Sequence, residues 1–161
     1  MKQKYTNIGL PKHLLKMASE KELDYIETLC AKRITLKHKL YTMDNYVPAR
    51  RDIYVELGNI SDQLAGFRKL IRQRYSNSFK EGIYTITRSN VFPVYRIGEF
   101  DFRKTYRNNI PKKSILTWVS RDELGTNWFL LKETIVGVTN GASIDSLIGI
   151  KDYENRRNKS R

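Results

Sequence analysis

The chain has a single cysteine, Cys30, and two histidines, His13 and His38, in 161 residues. One thiol closes no internal disulfide, and so few nitrogen and sulfur ligands leave a zinc site or a histidine-based nucleophilic triad almost without material. No glycine-rich phosphate loop ending in Gly-Lys-Ser or Gly-Lys-Thr occurs. No apolar run approaches the roughly 18 residues that span a bilayer, and no apolar h-region follows Met1-Lys2-Gln3-Lys4-Tyr5. A soluble, intracellular, cytoplasmic protein is the expectation. The last shortage is of acid: 17 Asp and Glu stand against 30 Lys and Arg, a formal charge of +13.

The basic excess is not confined to a tail. Residues 1–80 carry 16 basic and 8 acidic side chains, and residues 81–161 carry 14 and 9. A field of that sign attracts nucleic acid, an acidic protein face or an anionic membrane, without naming which. Apolar residues make up 40% and aromatics 11%, too much burial potential for a disordered polycation, so the chain is expected to fold.

Three helices are expected first. Pro11 opens a short stretch over Lys12 to Ala18, and Ser19-Glu20-Lys21-Glu22 has the form of a capping box. The second helix runs from about Glu20 to Tyr41 on Leu23, Ile26, Cys30 and Ile34, with Leu29, Leu36 and Leu40 widening the stripe. Cys30 reads there as a buried small hydrophobe. After the break at Asp44-Asn45 and Pro48, a third helix spans roughly Arg50 to Tyr75. Its seam of Ile53, Leu57, Ile60, Leu64, Phe67 and Ile71 alternates steps of four and three, which is core packing in a coiled-coil-like manner. Each of the two long helices is acidic early and basic late, so an antiparallel pair sets opposite charges side by side.

Beyond Ser76-Asn77-Ser78 the period becomes two. Gly82–Arg88, Val91–Phe100, Ser114–Arg121 and Asn127–Val138 read as strands, with a hairpin turn at Asp122-Glu123-Leu124-Gly125-Thr126. Residues 140–150 supply one more apolar segment. The fold class is therefore α+β: an N-terminal antiparallel helical hairpin over residues 1–80, a small SH3-like antiparallel β-barrel over 81–150, and a basic flexible tail over 151–161.

The segment Arg103-Lys104-Thr105-Tyr106-Arg107-Asn108-Asn109-Ile110-Pro111-Lys112-Lys113 holds five cations, one aromatic and two amides without an acid. Read as a loop, it offers Arg for bidentate phosphate contacts, Lys for point charge, Tyr for stacking and Asn for base edges or sugars. Arg103, Lys104, Tyr106, Arg107, Lys112 and Lys113 are the expected nucleic-acid contacts. Arg68, Lys69 and Arg72 on the third helix and Arg156, Arg157 and Lys159 in the tail are expected to assist. The remaining carboxylates form no convincing acid/base pair.

Gly82-Ile83-Tyr84 and Tyr95-Arg96-Ile97-Gly98 together resemble the paired strands of GIY-YIG nucleases, which cut a phosphodiester with tyrosines, an arginine and a metal-binding glutamate. The resemblance implies Tyr84 and Tyr95 as the motif tyrosines, Arg107 as the arginine and Glu133 as the metal ligand. The chain departs from the pattern where Arg96 interrupts Tyr-Ile-Gly, where Pro111 spoils the helix that carries the arginine, and where Glu133 falls in a strand-like segment.

The expected function is non-enzymatic nucleic-acid binding, to DNA or RNA, with no cofactor, no metal and modest sequence preference. One alternative is a small regulator docking on an acidic protein of the transcription or translation machinery, encoded by an A·T-rich genome such as a phage's. The other is the metal-dependent nuclease. A membrane-surface role is not expected, because the cations accompany no exposed amphipathic apolar face.

Overall fold

The computed structural model describes residues 8–45, 47–96 and 106–159, the side chains of Arg96, Tyr106 and residues 157–159 excepted. It contains helices and an antiparallel sheet, an α+β fold. The chain divides into two compact units, Met1–Ile71 and Arg72–Arg161. The division lies nine residues before the boundary expected from composition, inside a helix.

The first unit is helical. α1 (Lys12–Leu15) leads to α2 (Glu20–Thr42), whose start is the capping box expected at Ser19. Ser19 N–H donates to Glu22 Oε1 at 2.9 Å and Glu22 N–H to Ser19 Oγ at 3.2 Å. α3 (Ala49–Ser78) carries the anticipated seam, with Ile60, Leu64 and Ile71 buried and Ile53, Leu57 and Phe67 half-buried. On α2 the stripe is Ile26, Leu29, Cys30 and Leu36. Ile34, expected among them, is 65% exposed. At 3.6 residues per turn the buried row continues from Cys30 through Arg33 to Leu36 and Leu40, leaving Ile34 about 100° to one side. Among the described residues α2 is joined to α3 by Tyr25 with Gln63 and Phe67, by Lys32 with Glu56, and by Arg50 with the carbonyls of Leu40 and Met43. His13 is buried beside Leu14.

The second unit begins with the last turns of α3 and continues as β1 (Ile83–Ile86), β2 (Asn90–Arg96), β3 (Tyr106–Ile110), β4 (Ile115–Arg121), β5 (Asn127–Leu131), β6 (Thr134–Val138), a 3-10 turn at Ala142–Ser146, β7 (Leu147–Gly149) and α4 (Ile150–Lys159). The strands form one sheet in the order β3-β2-β6-β5-β4-β1-β7, every neighbouring pair antiparallel, curled into a half-barrel. Its inner face carries Ile86, Phe92, Leu116, Phe129, Val136, Val138 and Leu147, all fully buried.

The C-terminal end of α3 is tied to this sheet. Arg121 on β4 donates to the carbonyls of Ser76 and Phe79. Asn127 on β5 donates to Ser76 and accepts from the Trp118 indole at 3.0 Å. These bonds satisfy carbonyls that a helix end leaves open. Phe79 meets Tyr75, Tyr84 and Phe129 edge-on, centroids 4.9 to 5.6 Å apart. The Tyr75 hydroxyl donates to the Leu147 carbonyl, and burial pushes its pKa above the ordinary value.

Three local expectations change. The span Asn127–Val138 is two strands, because Lys132 turns the chain with φ +54°. That region normally falls to Gly or Asn, and neither marks the spot. The stretch 103–113, expected as a loop, contains the edge strand β3, which β2 recruits along Asn90–Val94. Residues 151–159, expected within a flexible tail, belong to α4 (Ile150–Lys159), which packs on β1 and β7 and has Asp152 in its first turn, where the helix dipole favours an acid.

Candidate nucleic-acid interface

Two connections meet beside the end of β1. Lys113 N–H donates to the Ile86 carbonyl at 3.0 Å, and Lys112 N–H donates to Ser89 Oγ at 3.2 Å. Thr87 N–H and Oγ1 both donate to the Ser146 carbonyl, at 2.8 and 3.2 Å. Within the second connection, Ser114 donates to the Pro111 carbonyl through its backbone and its hydroxyl, and Lys113 takes φ +70°. A lysine in that left-handed region is uncommon and here is over-determined by its bonds. The result is a backbone frame that fixes Arg88, Lys112 and Lys113, all exposed, on adjoining turns. Arg107, also exposed, sits on edge strand β3 opposite Pro93. None of these four cations pairs with a carboxylate among the described residues.

The other expected contacts are placed differently. Arg72 is held by Asp145 in a two-pronged pair, Nε to Oδ1 at 2.9 Å and Nη2 to Oδ2 at 2.7 Å, with both side chains 19% exposed. The hydrogen bond that Arg72 donates to Asp145 raises the Arg72 pKa against the opposing effect of desolvation. Arg72 is thus an internal tie and not a free phosphate contact. Arg68 is half-buried and donates to the Ile8 carbonyl at 3.3 Å, while Lys69 beside it is exposed. Arg156 is exposed on α4 and is engaged with a neighbouring group. Arg103 and Lys104 lie outside the described residues, as do the side chains of Tyr106, Arg157 and Lys159.

The motif tyrosines are not brought together. β1 and β2 are separated in the sheet by β4, β5 and β6. Tyr84 packs edge-on against Phe79 and Phe129, on the side of the inner core, and its hydroxyl bonds the backbone of Lys80. The register Tyr95↔Ile135, one step from Val94↔Val136, puts Tyr95 on the opposite, outer face. Among the described residues no three His, Cys, Asp or Glu side chains cluster closely enough to hold a metal, and none of the helices is long and apolar enough to cross a membrane.

The outer face holds residues that sequence reasoning passed over. Trp128 lies opposite Gly137 on β6, where a β-carbon on Gly137 would come within 2.8 Å of Cζ3, 3.1 Å of Cη2 and 3.3 Å of Cε3. The indole therefore lies over the glycine, and its N–H donates to Asp122 Oδ2 at 3.0 Å. Tyr95 is the next ring, centroids 5.3 Å apart and planes at 51°. Asp122 is also the acceptor for the backbone N–H groups of Leu124 and Thr126, both at 2.9 Å on Oδ1. The indole hydrogen bond, followed by those of the turn, holds the Asp122 carboxyl below its ordinary pKa against a smaller desolvation effect. Arg88 was legible only as one more exposed cation, because its partner turn is more than twenty residues away. The Trp128–Tyr95 pair depends on β6 lying between β2 and β5, which no local pattern announces.

No protein-family model, curated protein or solved structure matches the chain.

Proposed function

We propose that this protein binds nucleic acid without cutting it, gripping phosphates with Arg88, Arg107, Lys112 and Lys113. The observation that carries this reading is the set of exposed cations, paired with no carboxylate among the described residues, on two hydrogen-bonded turns and the adjoining edge strand. Fixed cations suit this use because a rigid backbone reduces the ordering that binding requires, and each neutralised phosphate releases counterions. The finer fold reading goes with it. The contact pairs 25 with 63, 32 with 56 and 40 with 50 run in opposite directions along α2 and α3, which supports an antiparallel hairpin. The curled antiparallel sheet with a single apolar inner face supports an SH3-like half-barrel.

Fluorescence anisotropy with a labelled oligonucleotide at low salt tests the function. The triple variant Arg107→Gln, Lys112→Gln, Lys113→Gln is expected to lose most of the affinity, while Lys69→Gln changes little. Equal affinity of triple variant and wild type would remove the proposal. Retention of a single protein partner through nuclease treatment, with no oligonucleotide bound, would instead favour a regulator docking on an acidic protein.

A further inference from the structure

We propose that the outer sheet face built on Tyr95 and Trp128 is a stacking platform for unpaired bases, so that the nucleic acid held by the four cations is single-stranded. This inference rests on the function proposed above and names the form of its ligand. The register assigns to one face Arg107 and Asn109 of β3, Val91, Pro93 and Tyr95 of β2, Ile135 and Gly137 of β6, and Trp128 and Leu130 of β5. That face is partly open to solvent: Val91 is 47% exposed and Leu130 38%, and Tyr95 and Trp128 are half-buried.

Its apolar part is positioned at Trp128. Gly137 removes the side chain that would hold the indole off the sheet, and Asp122 fixes the ring by its N–H. An aromatic surface already locked in place loses little freedom when a base settles on it, and stacking accepts any base because each has a π-face. Its charged part is complementary to the same ligand. Arg107 stands opposite Pro93, so Tyr95 is its diagonal neighbour on the same face at about 7–8 Å. A base on Tyr95 thereby leaves its phosphate within reach of the guanidinium. A duplex buries its base faces and cannot use the rings. Asp122, the carboxylate beside Trp128, already accepts the indole and two backbone N–H groups.

Anisotropy titrations of the full chain with labelled oligothymidylate and with a duplex of equal length decide the matter. Tyr95→Leu keeps apolar cover and removes the ring; Tyr95→Phe keeps the ring. We expect Tyr95→Leu to weaken the single strand by about 5- to 150-fold, the worth of stacking one base, with duplex affinity unchanged and Tyr95→Phe near wild type. Trp128→Leu provides a second position, with circular dichroism confirming the fold of each variant. The platform is overturned if folded Tyr95→Leu binds oligothymidylate like wild type while the triple charge variant does not, an outcome that leaves nucleic-acid binding standing. It is equally overturned if light scattering shows a dimer that Tyr95→Leu dissociates, which gives the face to a second copy. Failure of wild type to bind any oligonucleotide removes both proposals together.

Discussion

Gly137 and Asp122 fix the position of Trp128 between them, one by being small and the other by accepting its N–H. Gly137→Ala would place a methyl 2.8 Å from Cζ3, so either the indole or β6 must shift. Overpacking of this kind costs about 1–3 kcal/mol, to be read from urea denaturation, and part of it should return in Gly137→Ala/Trp128→Leu because the two side chains share the space. Asp122 makes a pH prediction. Its pKa in the folded chain is lowered from 3.8, so the stabilisation from its ionised form is present above that pH and is lost as pH falls through the lower folded value. Thermal melts should show wild type more stable than Asp122→Asn near neutrality, with the gap closing below about pH 4. A gap that stays constant into acid would show that the charge on Asp122 plays no part.

Among the elements, the Arg72–Asp145 tie separates a paired cation from exposed ones. Arg68, Lys69 and Arg72 look alike in sequence, yet Arg72 is paired, Arg68 bonds a carbonyl and Lys69 is exposed. Arg72→Gln should destabilise the fold by about 1.5–3 kcal/mol, the worth of hydrogen bonds to a charged group, and leave oligonucleotide affinity unchanged. A drop in affinity without a drop in stability would show the pair to be open to ligand. The seam of α3 and the cap at Ser19 were legible because they are written in residues three and four apart. The strand β3 was not, because Arg107-Asn108-Asn109 has little β propensity and becomes a strand only where β2 offers a free edge. The turn at Lys132 and the helix α4 escaped for a related reason: in each case tertiary contact outweighs composition. Of the site, Lys112, Lys113 and Arg107 were legible as a basic run. Arg88 and the Tyr95–Trp128 pair were not, since their neighbours come from strands distant in sequence.

For the whole molecule, the formal charge of +13 sets the attraction to any polyanion, and the described ion pairs show how some of it is used internally. Lys32–Glu56 joins α2 to α3 at the surface, where solvent screens the pair, and Arg72–Asp145 lies inside the sheet unit. The cations around the 87–89 and 111–114 turns are not used in that way, which is why the reading centres on them and not on the total charge. The salt dependence of oligothymidylate affinity tests this most directly, because its log-log slope counts the phosphates neutralised. With Arg88, Arg107, Lys112 and Lys113 each meeting one phosphate of the single strand the slope should be about −2.8, falling to about −0.7 in Arg107→Gln, Lys112→Gln, Lys113→Gln. The same slope in wild type and triple variant would contradict the account.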